Sequence, residues 1–256
     1  MKQAEMMILA PQKLKEIEKE YGIRILYAAE SGSRAWGTNH TESDFDVRFI
    51  YIRPKAEYLR LQPHRDTLEF PISEGWDMCG WDLTKTLKLL HNANRQIFEW
   101  FGSPLVYVDD GFSQRFRPVL DEYFSAKTAL YHYLHQADLN MKEQQKAEPT
   151  KIKHYLYRLQ HLAAARWVLE HRMPAPVSFR ELTPWMPSDI RQDALDLLEQ
   201  KTTHPETPLM THSPVLDLRL QEERDELGLL ADQLPKEPQK GWEMLDQFFL
   251  SELERI

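Results

Sequence analysis

The chain has 256 residues, 42% of them hydrophobic, which suffices for one large domain or two modest ones with a real core. Lys and Arg number 32 against 40 Asp and Glu, a formal net charge of -8, so broad capture of nucleic acid or anionic membrane by the whole surface is excluded and a polyanion must meet a local basic patch. One cysteine, Cys79, excludes an intrachain disulfide and a multi-cysteine zinc site and reads as a buried small residue, while no apolar run approaches the roughly 20 residues of a membrane span and the N-terminal apolar segment is too short for a secretory signal, which predicts a cytoplasmic protein without a membrane partner.

In chain order, "QKLKEIEKEYG" predicts a short helix with Leu14 and Ile17 inward and Gly22 as its stop. "IRILYAAE" is β-rich, and "FDVRFIYI" alternates Phe45, Val47 and Phe49 against Asp46, Arg48 and Ile50 as a strand does. "RDTLEFPISEGWDMCGW" reads as a strand or hairpin broken by Pro71 and Gly75, and "DLTKTLKLLHNANRQIFEWF" has helical spacing with Leu83, Leu87 and Leu90 on one face. "SPLVYV" is a last extended segment. Beyond "DDG" the periodicity is helical with almost no strand signal, interrupted by the proline-rich loops "MPAPVS" and "THPETPLMTHSP". The expected organisation is an α+β domain over residues 1–110 followed by an all-helical domain over 111–256.

The informative stretch is "SGSRAWGTNHTESDFDVRF". Asp44 and Asp46 are two apart on a predicted strand, which places both carboxylates on one face. Two such charges repel unless a cation lies between them, and hard oxygen donors suit Mg²⁺ or Mn²⁺. Gly32 and Ser33 end the preceding strand at a tight turn that opens a short helix, a geometry in which backbone N–H groups face an anion. The plainer account makes Ser33 a helix cap and the aspartates a solvated turn and strand edge.

Gly32-Ser33, ten intervening residues and Asp44-Phe45-Asp46-Val47 resemble the signature of the DNA polymerase beta-like nucleotidyltransferase superfamily. The strings "SGSRAWG", "SDFDVRFIY", "GWDLTKTLKLL", "SPLVY" and "KIKHYLYRLQHLAAARWVLEHRMPAPVSF" are similar to predicted nucleotidyltransferases of the RlaP type, linked to RNA repair, over about residues 24–182. That resemblance implies a mixed-sheet catalytic core, a nucleoside triphosphate on the Gly-Ser turn, and two metals on three acids. The third acid is Asp77 or Asp82. Asp82 directly precedes a helix and reads as its N-cap, so Asp77, in an extended run, is favoured.

Cationic side chains should help neutralise the triphosphate, and Arg34 and Lys85 are the candidates in the first domain. In the second, Lys153 and Tyr157 stand four apart on one helix face, with Arg158 following, in a locally basic segment from Lys142 to Arg172. The expected reaction is transfer of NMP from an NTP such as ATP to an acceptor hydroxyl with release of pyrophosphate, under a helical domain that closes over the nucleotide. An RNA 3′ end is the acceptor the resemblance suggests, with a protein side chain or small alcohol equally compatible with the catalytic residues. Two rivals are a nucleotide-binding sensor or partner protein without turnover, and a metal-independent ribonuclease of HEPN type, whose Arg and His would be Arg166 and His171. His132 and His135, three apart, have no Glu or Cys to complete a zinc pattern.

Overall fold

The structure, a computed structural model, describes residues 3–204, 208–238 and 240–256; part of the second proline-rich loop, residues 205–207, lies outside the described residues. Helix α1 (Gln3–Tyr21) begins well before the predicted one, because Met6 and Ala10 extend the buried stripe of Leu14 and Ile17 at helical spacing. It ends where Gly22 takes φ +59°. Then follow β1 (Arg24–Glu30), α2 (Gly32–Trp36), β2 (Phe45–Ile52), α3 (Lys55–Tyr58), β3 (Thr67–Glu69) and β4 (Trp76–Asp82). The stretch expected as one helix after β4 is two, α4 (Leu83–His91) and α5 (Arg95–Phe101). Ala93 at φ +50° breaks the periodicity, and Asn94 caps the new helix by accepting from the Gln96 N–H.

The chain continues through β5 (Val106–Asp109), α6 (Phe112–Glu122), α7 (Ala126–Gln144), the short β6 (Thr150–Lys151), α8 (Ile152–His171), α9 (Phe179–Leu182), α10 (Arg191–Thr203), β7 (Leu209–Met210), α11 (Pro214–Gln233) and α12 (Glu243–Leu253). The fold class is α+β. Five strands form a mixed sheet in the order β3-β4-β2-β1-β5, in which β2 and β4 run parallel and the other pairs antiparallel.

Two compact units divide the chain. The first comprises the residues up to Ala35, Asp44–Phe124, and those after Pro238; the second comprises Trp36–Ser43 and Ser125–Pro238. The expected seam at residue 110 therefore differs from the structural one. Phe112, Phe116, Val119 and Leu120 of α6, with Leu245 and Phe248 of α12, share one buried cluster with Ile50, Trp81 and Leu83. At about 1.5–3 kcal/mol per large apolar side chain, that burial holds both helices to the sheet. Loss of strand signal after β5 marks a change of element, not of packing partner. The opposite face of the sheet packs Phe45, Val47, Phe49 and Met78 against Met6, Leu14 and Ile17 of α1.

In the second unit, α7, α10 and α11 pack against α8, whose face with Tyr155, Leu156, Leu159 and Leu162 is fully buried. None of the described helices is long and apolar enough to cross a membrane.

Candidate active site

Strands alternate sides, so β2 directs Asp46, Arg48, Ile50 and Ile52 to one face of the sheet and β4 directs Asp77, Cys79 and Trp81 to the same one. The later residues of each series lie in the core, while Asp46, Arg48, Asp77 and Cys79 are half-buried. Cys79 is thus less covered than its sequence context suggested. Asp46 and Asp77 are register partners across the parallel pair, which sets their side chains abreast. Arg48 Nη2 lies 3.1 Å from Asp46 Oδ1 and 2.8 Å from Asp77 Oδ2, one cationic nitrogen between two carboxylates. Burial pushes the Asp46 carboxyl up to about 7 against the pull of Arg48. At Asp77 burial acts upward too, but the hydrogen bond and charge of Arg48 outweigh it and hold that carboxyl below its usual range.

The glycine turn meets the same acid. Gly32 has φ +58°, and a Cβ placed on it would run into Asp46 Oδ2 and stand 3.0 Å from Cγ. Glycine is required twice over at this position, by backbone sign and by space. The turn is tied to β2 by the Ser31 N–H donating to the Asp46 carbonyl at 2.8 Å. Behind it, Glu30 is fully buried; its Oε1 accepts the Asp46 N–H at 2.7 Å and its Oε2 accepts the Tyr107 hydroxyl. Burial raises the Glu30 carboxyl, opposed by Tyr107 and the Asp46 N–H.

The other predicted residues are distributed as follows. Asp44 stands one residue before β2 and is exposed; its carbonyl accepts from Arg34 Nε at 3.1 Å. Arg34 is buried, its guanidinium 3.7 Å over the Phe45 ring. Ser33 lies half-buried on α2, next to Gly32. Asp82 is the N-cap of α4: Oδ1 accepts from Thr84 N–H at 2.8 Å and from its hydroxyl at 2.6 Å, and Oδ2 accepts from Tyr58 at 3.0 Å. Asp82 also lines a cavity of about 480 Å³ with Tyr58, His64 and Trp242, a cavity that none of Gly32, Asp46 and Asp77 lines. Lys85 engages Thr67 Oγ1, with Asp66 at 3.9 Å.

In the second unit, Lys153 is half-buried and Tyr157 packs edge-on against Trp36, ring centroids 5.0 Å apart. Arg158, one residue on, is rotated about 100° around the helix. It is buried, with Nη1 3.5 Å from Asp217 and Nη2 donating to Gln221 at 3.4 Å. It therefore faces α11, not the Lys153–Tyr157 face. Arg166 is held by Glu223 and Glu226 at 2.9 and 3.0 Å, and the His171 ring stacks on Trp167 and meets Trp185 edge-on.

Arg48 and Glu30 escaped the sequence reading. Arg48 was legible, since it is two residues from Asp46 on an alternating strand. Nothing local announces Glu30, whose partners are 16 and 77 residues away.

A metal can be tested against these donors. Asp46 and Asp77 converge on a single cationic nitrogen, a place that a divalent ion could take if Arg48 swung aside, and their hard oxygens suit Mg²⁺ or Mn²⁺. Among the described residues, however, no three of His, Cys, Asp and Glu are gathered to hold a metal. The pair fits one ion; the expected three-acid assembly is not gathered among the described residues.

A mixed sheet carrying a glycine turn against one of two registered aspartates, with a helical unit beside it in the chain, defines a protein of the polymerase beta-like nucleotidyltransferase class. The chain belongs to the RlaP family, described as the RNA repair pathway DNA polymerase beta family, whose model matches residues 6–251. It is also similar to the uncharacterized protein YcgL of Bacillus subtilis (strain 168), with 33% identity over 247 residues covering 95% of each chain.

Proposed function

We propose that this protein is a metal-dependent nucleotidyltransferase that moves NMP from an NTP to the 3′ hydroxyl of an RNA, releasing pyrophosphate. Asp46 and Asp77 hold the divalent ion, Mg²⁺ or Mn²⁺, with Asp44 brought in as the third acid. Such an ion, when bound, lowers the pKa of an attacking hydroxyl and neutralises charge on the phosphates. Gly32 and Ser33 present backbone N–H groups to the nucleotide, Arg34 and Lys85 add positive charge, and Glu30 fixes the Asp46 backbone.

The observation that carries this reading is the contact of Gly32 with the Asp46 carboxylate, which brings the anion-binding turn and the cation-binding acid to one place. Chance placement of a solvated turn would not require glycine there. The test incubates purified protein with α-labelled NTPs, Mg²⁺ or Mn²⁺, and separate pools of RNA, protein and small alcohols. Label is expected at RNA 3′ ends, lost with EDTA and lost in a folded Asp46→Asn variant. Label in another pool reassigns the acceptor, and label in none overturns the reading.

A further inference from the structure

The second unit contains a cation that the proposed transfer chemistry does not use. Lys201, on α10, is 2% exposed, among the most completely buried side chains of the molecule. Its Nζ donates to the Thr38 carbonyl, the hydrogen bond it makes among the described residues, and lies 5.8 Å from the centre of the Tyr157 ring. An ammonium carries three N–H donors, so two of them lack an acceptor among the described residues. Lys153 stands one turn before Tyr157 on the same face of α8. Neither lysine has a carboxylate within ion-pair distance among the described residues. Glu143, the acid whose field reaches Lys153, is itself engaged by Lys146.

Three arginines of α8 and α11 are treated differently. Arg158 has Asp217, Arg166 has Glu223 and Glu226, and Arg224 has Asp138. Burying a charge is costly unless it is paired, and two like charges facing each other add to that cost. Burial first, then Lys153, lowers the Lys201 ammonium to about 8. Among the described residues the cost persists around the Tyr157 ring, and an incoming anion removes it: it supplies oxygens to the spare donors and charge to both lysines.

We infer that Lys153, Lys201 and Tyr157 form an oxyanion site within the helical unit that takes a phosphoryl group. A phosphoryl group fits because it offers several acceptor oxygens and up to two negative charges to two ammonium groups. Lys201 supplies the buried, pre-oriented charge and Lys153 the more accessible one. Two sources present the same chemistry, the phosphate chain of an NTP and a terminal phosphate of an RNA. Assigning it to the NTP rests on the nucleotidyltransferase reading; the anion site itself does not.

The test is titration calorimetry with tripolyphosphate, without metal, on wild type, Lys153→Met, Lys201→Met and, as a control at an exposed lysine of the same unit, Lys236→Met, each checked for folding by circular dichroism. Lys153→Met and Lys201→Met are expected to bind at least tenfold more weakly, and Lys236→Met to bind as wild type does. Should Lys201→Met fail to fold, Lys153→Met, altered at a half-exposed position, decides alone. Unchanged affinity in folded Lys153→Met overturns the inference, and so does an equal loss in Lys236→Met, which would make the binding a response to overall positive charge. Competition against tripolyphosphate by a non-hydrolysable NTP, or by an oligoribonucleotide with a 3′ phosphate but not by its 3′-hydroxyl form, names the source. If no metal-dependent transfer is found while the lysine variants still lose tripolyphosphate, the transfer reading fails and this site stands.

Discussion

Arg48 grips Asp77 twice: Nη1 donates to the Asp77 carbonyl at 2.8 Å and Nη2 to its Oδ2 at 2.8 Å. The second nitrogen also reaches Asp46 at 3.1 Å, so a guanidinium occupies the position between the two acids where a divalent ion would be held. Positive charge between registered carboxylates is what allows both to sit on one strand pair. On the proposed metal-dependent reading, an ion could enter between the acids only as Arg48 leaves.

Replacing that guanidinium should therefore favour the metal. Arg48→Gln is expected to bind Mn²⁺ several-fold more tightly than wild type, since the ion no longer displaces an intramolecular cation. Electron paramagnetic resonance of free Mn²⁺ in a titration measures this directly. Equal or weaker binding would show that Arg48 does not compete for the acids.

Gly32→Ala tests the turn. The left-handed φ of +58° should cost about 1–2 kcal/mol, read from the urea denaturation midpoint. The added methyl must also push Asp46 away, and displacement of a reacting group by about 1 Å lowers transfer on the order of 100-fold. Wild-type transfer by the alanine variant would separate the turn from the chemistry.

Asp77 and Asp82 should part in opposite ways. Asp77→Asn removes a charge at nearly constant shape and is expected to abolish transfer while the protein stays folded. Asp82→Ala removes the cap of α4 and the acceptor of Tyr58, and should cost about 1–2 kcal/mol of stability with transfer retained. Transfer lost in Asp82→Ala at full stability would exchange the two roles.

Lys201 predicts a pH dependence. Its ammonium is lowered to about 8 from an ordinary 10.5, so between those values the unfolded chain binds more protons than the folded one. Stability attributable to this residue then rises as pH climbs from about 8 to 10.5, because the buried charge is shed while the unfolded lysine keeps its own. The unfolding free energy of wild type should rise relative to that of Lys201→Met across that window. A flat difference would mean that Lys201 is not buried as a cation.

Much of the first unit is written in local pattern. The alternation over Phe45–Ile52 determines both the strand and the face on which Asp46 and Arg48 emerge, because side chains of an extended backbone repeat every two residues. The choice of Asp82 as a cap is likewise local: the carboxylate needs only the Thr84 N–H two residues on. Gly32 and Ser33 were legible as a turn for the same reason.

Other features depend on partners remote in sequence. Strand order sets Asp77 beside Asp46, since β2 and β4 pair in parallel and register is a property of the pair. Packing of α6 and α12 into the sheet's core moved the seam between the units, as hydrophobic burial follows area removed from water rather than chain position. Arg158 turned to Asp217 because a helix advances about 100° per residue. Glu30 under Asp46 and Lys201 against Thr38, 163 residues away, carry no local signature at all. The sequence determined which side chains could do chemistry; the tertiary structure decided which of them meet, because a buried charge is defined by its neighbours in space.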